Sequence, residues 1–87
     1  MKGLDIDDIV DELSENPKGV RFKRLRHVCE HYFGEARQSG SHLVYRTPWR
    51  GDPRINIQND KGMAKAYQVR QVIKAFTRLK NEDKNKH

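Results

Sequence analysis

The first apolar pattern along the chain has the period of an α-helix. Its members follow the i, i+3, i+4, i+7 spacing of one helix face: Ile6, Ile9, Val10 and Leu13. Asp5 precedes them at the position of an N-cap, and residues 16–19 contain the proline and glycine that end helices. The pattern predicts an amphipathic helix that packs its apolar face on the rest of the chain and leaves its carboxylates outside.

Two further segments have helical spacing. The apolar positions of the second segment are Phe22, Leu25, Val28 or Cys29, and Tyr32. It ends at Gly34, since glycine suits the left-handed position that closes many helices. A last helix is predicted from about Tyr67 to Lys80, with an apolar stripe made of Val69, Val72, Ile73, Phe76 and Leu79.

The centre of the chain changes to the period of β-structure. Residues 35–39 predict a short strand, and residues 39–41 predict a turn around a glycine. Residues 42–47 are rich in strand formers, but their alternation does not say which face is buried. After a loop with two prolines, residues 54–59 alternate cleanly, with two isoleucines inward. Residues 60–66 are predicted to be another loop.

The predicted order is therefore helix, helix, three strands, helix. Antiparallel hairpins with helices on one face make a two-layer α+β fold. This αβββα arrangement is that of double-stranded-RNA-binding domains, here with an extra helix in front. The predicted divisions are an acidic N-terminal helix and turn at 1–19, the αβββα domain at 20–80 and a polar tail at 81–87.

Charge is unevenly distributed along the 87 residues, whose formal net charge is +6. Residues 1–19 hold two basic and six acidic side chains (2 − 6 = −4), whereas residues 20–87 hold sixteen basic and six acidic ones (16 − 6 = +10). A small body with this excess attracts polyanions, nucleic acid above all. The alternative is that surface lysines only keep the protein in solution.

Size and cysteine content narrow the possible class of protein further. The length suits one domain with a modest core. A single cysteine, Cys29, excludes an internal disulfide and favours a reducing compartment. The acidic first residues contain no unbroken apolar run, so we expect no signal peptide, no membrane span and a cytoplasmic location.

Metal binding and nucleophilic catalysis find little support in the sequence. His27 and His31 are an i, i+4 pair, but no third ligand accompanies them, so we expect solvent-facing histidines and neither metal nor cofactor. Cys29 falls on the apolar side of its helix, where a thiol is normally inert. Ser39 and Ser41 flank a glycine, which is more typical of a turn than of a nucleophile.

Basic side chains form an array suited to phosphate contacts. Arg70, Lys74 and Arg78 stand at i, i+4, i+8 on the last helix, off its apolar stripe. Further candidates lie on the central hairpin and in the loop before the last helix: Arg46, Arg50, Arg54, Lys61 and Lys65. Trp49 and Tyr45 are candidates to stack on an unpaired base, the alternative for Trp49 being that it covers the core. Together these residues favour RNA as the ligand.

The segments SGSHLVYRTP and INIQNDKGMAKAYQVRQV resemble the HicA family of toxins from bacterial toxin–antitoxin pairs, and the likeness covers residues 20–80. The shared signature is a Gly-x-His that opens the second strand, a proline at the strand exit and a short basic loop before the last helix. The resemblance implies a double-stranded-RNA-binding-like fold and a metal-independent mRNA interferase whose activity depends on His42. It also implies a HicB-like antitoxin that covers the site.

The chemistry of His42 fits this implied role. Cleavage of RNA needs a base to take the proton of a 2′-hydroxyl, which then attacks the adjacent phosphorus and leaves a 2′,3′-cyclic phosphate. Imidazole serves as a base near neutral pH. We expect the ring to be exposed beside the turn at Gly40 and Ser41, in a basic groove. Nearby cations that would offset phosphate charge are Arg46, Lys61 and Lys65.

The chain departs from the family pattern in three respects, one of which is its acidic N-terminal helix, which the shortest members lack. Many members carry a second histidine after the third strand, where this chain has Gln58, Asn59 and Asp60, which leaves open what partners His42. Ala66 stands where a proline often precedes the last helix. Two other functions stay open: a non-catalytic RNA-binding module of the same fold, and a helix-turn-helix DNA reader built from the first two helices.

Overall fold

The computed structural model describes residues 4–49 and 54–84. Its elements are α1 (Ile6–Glu15), a 3₁₀ turn (Pro17–Gly19), α2 (Phe22–Phe33), β1 (Arg37–Ser39), β2 (His42–Tyr45), β3 (Ile55–Asp60), β4 (Met63–Ala64) and α3 (Ala66–Lys84). The predicted α+β class is confirmed, because three helices accompany one antiparallel sheet. None of the helices in the described ranges has the length and apolar character needed to cross a bilayer.

The sheet has the strand order β1-β2-β3-β4 with every neighbouring pair antiparallel. Tyr45 lies opposite Ile55, and His42 lies opposite Gln58. Since side chains alternate between the faces of a strand, these two pairs belong to opposite faces. The inner face, toward the helices, carries Tyr45, Ile55 and Ile57, all buried. The outer face carries Arg37, Ser39, His42, Val44, Asn56 and Gln58.

One continuous core lies between the inner face and the helices. Its fully buried side chains come from all three helices and from the sheet: Ile9, Leu13, Leu25, Val28, Cys29, Tyr45, Ile57, Val69, Val72 and Phe76. The predicted inward isoleucines of β3 are confirmed. Within the predicted stripe of α3, Ile73 and Leu79 are only half-buried at its margin.

The acidic helix α1 belongs to this core and packs against α3. Ile9 and Leu13 are completely buried, while Ile6 and Val10 pack at the edge of the cluster. The predicted packing face is therefore confirmed. Asp5 is the N-cap residue, but its side chain makes no capping hydrogen bond.

Ion pairs tie α1 to both other helices. Arg24 of α2 donates two hydrogen bonds to Glu12, each 2.8 Å long. Lys80 of α3 pairs with Asp7, and this hydrogen bond is the main reason why the pKa of Lys80 is raised. Carboxylates of α1 thus neutralise cations of the basic part of the chain in addition to facing solvent.

The segment 60–66 is not the loop that the sequence predicted. Lys61 and Gly62 have φ angles of 53° and 88°, which is the positive pair that a type I′ hairpin turn requires. They lead into β4, so the sheet has four strands and not three. β4 is stable because its second edge is occupied as well: Ala64 N donates to Val20 O at 2.9 Å, and Phe22 N donates to Gly62 O at 3.0 Å.

Two other boundaries differ from the prediction. β1 begins at Arg37, two residues later than expected. α3 continues to Lys84, so the predicted polar tail is helical up to that residue, and residues 85–87 lie outside the described ranges. An i, i+4 pair between Arg78 and Glu82, 3.4 Å long, supports the added helical turn. Gly34 closes α2 with φ 84° and ψ −162°, outside the expected left-handed region but still at positive φ.

Candidate functional site around His42 and the basic surfaces

His42 is the first residue of β2, directly after the turn formed by Gly40 and Ser41. Gly40 has a φ of 61° at the first central position, where a type II′ hairpin turn needs glycine. The predicted turn and the predicted position of His42 are thus confirmed. The ring is half-buried, however, and not exposed as expected. The reason is that β2 lies between β1 and β3 in the sheet, so Ser39 and Gln58 flank His42 on its two sides.

The imidazole of His42 is held by Asn56 of β3. Its Nδ1 lies 2.9 Å from Asn56 Oδ1. Asn56 is opposite Val44, so it is the diagonal neighbour of His42, and such neighbours lie about 7–8 Å apart at the backbone, within side-chain reach. An amide carbonyl oxygen only accepts, so Nδ1 is the donor in this contact, and in the neutral imidazole the lone pair is therefore on Nε2. No second hydrogen bond or ion pair engages the ring in residues 4–49 and 54–84.

A second polar side chain, Gln68, supports the strand opposite His42. Gln68 Oε1 accepts a hydrogen bond of 2.7 Å from Gln58 N. β4 pairs with β3 only at residues 59 and 60, so the glutamine replaces the strand partner that Gln58 lacks on that side. Gln68 is 2 % exposed, the only buried polar side chain in the described ranges. The hydrogen bond from Gln58 to Gln68 fixes the first turn of α3 against Gln58, the residue that is paired with His42.

Arg37 is the cation that the register of the sheet brings near His42. Arg37 lies opposite Val44 and Ser39 opposite His42, so both project from the outer face. Arg37 is therefore a diagonal neighbour of His42, about 7–8 Å away at the backbone. Arg46 follows β2 and is about 13 Å from His42 along the chain, given about 3.3 Å per residue. The sequence did not single out Arg37, because it left the face of β2 undetermined.

The predicted RNA-binding cations are not gathered around His42. Arg70, Lys74 and Arg78, the basic stripe, are exposed on α3, which packs on the inner side of the sheet. The basic stripe and His42 therefore belong to opposite sides of the molecule. A single groove containing both does not form.

The remaining predicted cations are divided between the two ends of the sheet. Lys61 is exposed at the tip of the β3–β4 turn, at the same end of the sheet as His42. Lys65 is half-buried just before α3. Arg46 and Arg54 are exposed at the other end, beyond the Tyr45–Ile55 pair. Arg50 lies outside the described residues. Of the predicted neighbours, only the lysines are near the His42 end of the sheet.

Trp49 is half-buried and packs against the core, and its stacking on a base stays a prediction. Tyr45, the other predicted stacking residue, is completely buried, so that prediction is wrong. The guanidinium of Arg78 lies over the Trp49 ring, 4.4 Å from the centroid. The indole Nε1 is buried and has no hydrogen-bond partner in the described part of the chain. The indole also lines a groove together with Lys74 and Arg78, so it contacts a cation as well as the core.

Other candidate chemistry is located away from both regions. His27 and His31 are exposed on α2, and the described ranges hold no group of three or more metal-ligating side chains. Cys29 is fully buried, and burial raises the pKa of its thiol to about 12, with Glu30 adding to the effect. The reactive thiolate is therefore suppressed, as its position on the apolar face predicted.

No protein-family model, no curated protein and no solved structure matches this chain. The function is therefore inferred from the side chains and their geometry, together with the short segments quoted above.

Proposed function

We propose that the protein is a metal-independent endoribonuclease in which His42 is the general base. The observation that carries the proposal is the contact of 2.9 Å between His42 Nδ1 and Asn56 Oδ1. This contact selects the tautomer whose Nε2 accepts a proton. A half-buried ring held from one side keeps that nitrogen in a fixed direction, and fixed direction is what general-base catalysis requires.

The proposed reaction is an internal transesterification of single-stranded RNA. Nε2 of His42 takes the proton of a 2′-hydroxyl, and the freed oxygen forms a bond to the adjacent phosphorus. The bond from phosphorus to the 5′-oxygen of the next nucleotide breaks, and that oxygen takes a proton from water. The products are a 2′,3′-cyclic phosphate and a 5′-hydroxyl. No oxidant, reductant or cofactor enters this balance.

Arg37 is the proposed contact for the phosphate that reacts. It lies on the same face as His42 and one diagonal step away, and its exposed guanidinium offers two parallel N–H donors to an anion. Charge that develops on the non-bridging oxygens is stabilised by such a donor. Asn56 is proposed as a positioning residue, since it contacts the base and not the substrate.

The biological setting we propose follows from the resemblance to HicA-type sequences. In that setting the protein is a cytoplasmic toxin that cleaves mRNA and stops growth. A HicB-like antitoxin neutralises it by covering the outer face around His42. The position of His42 directly after the Gly40–Ser41 turn, as in the quoted signature, supports this assignment.

A second candidate is a non-catalytic RNA-binding module. The observation in its favour is the separation of the basic stripe from His42, because RNA held along α3 does not need to approach the imidazole. The two candidates differ in one respect that is easily measured. The histidine is required by the first and dispensable in the second.

The test compares purified wild-type protein with His42→Ala and with the matched control His27→Ala on single-stranded RNA in EDTA. His27 is an exposed histidine on α2, so its loss controls for removal of an imidazole. We expect His42→Ala to lose about 10²–10⁴-fold in cleavage rate, the usual contribution of general-base catalysis, and His27→Ala to keep the wild-type rate. Equal cleavage by all three proteins removes His42 from the mechanism. Binding without cleavage by any of them establishes the module.

A further inference from the structure

A groove on the helix side of the sheet combines an aromatic ring with several cations. Its walls come from the loop after β2, from the start of β3 and from α3: Trp49, Arg54, Ile55, Gln71, Lys74, Ala75 and Arg78. Its volume is about 600 Å³. Three of these residues are cationic, and the lining has no carboxylate within the described ranges. The chemistry of this Trp49 groove therefore selects an anion.

The Trp49 groove is separate from the surface around His42. Ile55 lies at its floor on the inner face of β3, whereas Gln58, three residues along the same strand, is opposite His42 on the outer face. Three strand residues span about 10 Å, and the two residues project from opposite faces. A ligand in the groove cannot contact the imidazole with the same group.

Trp49 and Arg78 are in contact with each other in the wall of the groove. The guanidinium of Arg78 lies 4.4 Å from the centroid of the indole. Its only ion pair in the described ranges, with Glu82, is long at 3.4 Å and exposed, and such pairs are weak. An arginine stacked on an aromatic ring offers one planar face to a further π-system and its N–H edge to an anion.

The apolar floor and the remaining donors complete the arrangement. Ile55 and Ala75 are buried in the core below the groove. Lys74 is exposed one helical turn before Arg78, so its ammonium reaches the same opening. A simple anion would use the cations and leave the indole and the isoleucine without a role. A ligand that is anionic and planar uses all of them.

We propose that the Trp49 groove binds one nucleotide unit of single-stranded RNA. The base stacks on the Trp49–Arg78 pair, and the phosphate lies beside Lys74. The choice of RNA as the ligand rests on the proposed ribonuclease function, whereas the position and chemistry of the groove do not. A strand bound here and cut at His42 passes around the end of the sheet, so the substrate must be several nucleotides long.

The sole tryptophan makes this inference directly testable, because Trp49 is the only one in the chain. Full-length protein carrying His42→Ala, which does not consume RNA, is titrated with a short oligouridylate in EDTA while tryptophan emission is recorded. We expect a saturable change in emission. Adding Lys74→Ala should raise the midpoint concentration about tenfold, the size expected for one lost charge-assisted contact.

The matched control is Lys23→Ala in the same background. Lys23 is exposed on α2, carries the same charge and is not part of the lining of the Trp49 groove. Its loss should raise the midpoint less than about twofold, because only screened long-range attraction is removed. Equal effects of the two substitutions would overturn a localised site.

Ligands that lack one half of the nucleotide sharpen the result. Inorganic polyphosphate that produces the same emission change at the same concentration would reduce the groove to a general anion site and overturn the proposal. An acidic peptide that binds as tightly as RNA would assign the groove to a protein partner instead.

These experiments distinguish failure of the groove proposal from failure of the ribonuclease proposal. Unchanged emission with RNA, while wild-type protein still cleaves RNA, would overturn the groove and leave the ribonuclease intact. Saturable emission without cleavage by wild-type protein would support the groove and remove the ribonuclease.

Discussion

The inner and outer faces of the sheet are built from the same strands but use their residues differently. On the inner face, Tyr45 and Ile57 are completely buried, and burial raises the pKa of the Tyr45 hydroxyl. On the outer face, His42 and Asn56 are half-buried and bonded to each other. Alternate residues of one strand therefore serve packing on one face and the proposed chemistry on the other, so substitutions on the two faces should have separable consequences.

The cations are divided in the same way. The outer face has Arg37 next to His42, whereas the helix side has the basic stripe and the Trp49 groove. If cleavage occurs on the outer face, one arginine there should matter more for rate than several cations elsewhere. The following substitutions test this division, beginning with the largest expected effect.

Leu13→Ala tests the contribution of core packing to stability. Leu13 of α1 is completely buried in the common core, so its truncation leaves a cavity and should lower the free energy of unfolding by about 2–5 kcal/mol. Thermal or urea unfolding measures the change. Ser14→Ala, an exposed position on the same helix, is the control and should change little. Similar stability of both variants would mean that α1 is not part of the cooperative fold.

Asn56→Ala tests the hydrogen bond that selects the tautomer of His42. We expect cleavage to fall about 10- to 100-fold, the range seen when a partner that orients a functional histidine is removed, with unchanged RNA affinity. Steady-state kinetics separates the two. Asn56→Asp keeps an acceptor at the same place and should restore part of the rate.

The aspartate variant also makes a signed prediction for pH. A carboxylate next to the imidazole favours its charged form, so the acidic limb of the cleavage profile, where the general base becomes protonated, should move to higher pH in this variant. A purely structural role for Asn56 predicts lower rate without any shift of the profile.

Arg37→Ala tests whether phosphate is contacted on the outer face. The loss of an exposed donor to the reacting phosphate should reduce kcat/KM about tenfold, less than at a buried oxyanion site because solvent screens the charge. Arg70→Ala on α3 removes the same charge from the other side and should leave the rate near wild type. The reverse ranking would place the reacting phosphate on the helix side.

The smallest effect on rate is expected from the basic stripe. Replacing Arg70, Lys74 and Arg78 with alanine should weaken RNA binding and flatten its salt dependence by up to about three charges' worth of slope. Binding measured at several salt concentrations gives the slope. An unchanged slope would locate the RNA path elsewhere, at Arg46 and Arg54.

Much of the fold followed from local patterns in the sequence. The buried face of α1, the turn at Gly40, the inward isoleucines of β3 and the burial of Cys29 were all predicted, and each is confirmed. These features depend on spacing within one segment or on the special conformations of glycine. A helix or strand with one apolar face must bury that face whatever it packs against, so periodicity alone suffices.

Other features depend on partners that are distant in sequence, and only the tertiary structure decided them. β4 exists because residues 20–22 cover its second edge, and Gln68 is buried because β3 lacks a partner at Gln58. The face of β2 is ambiguous in the sequence, and its pairing with β1 and β3 puts His42, Arg37 and Asn56 together. The basic stripe was predicted as a set, but its separation from His42 arises from the packing of α3 on the opposite side. Residue spacing records which side chains share a face of one element, whereas pairing and packing between elements determine which faces meet.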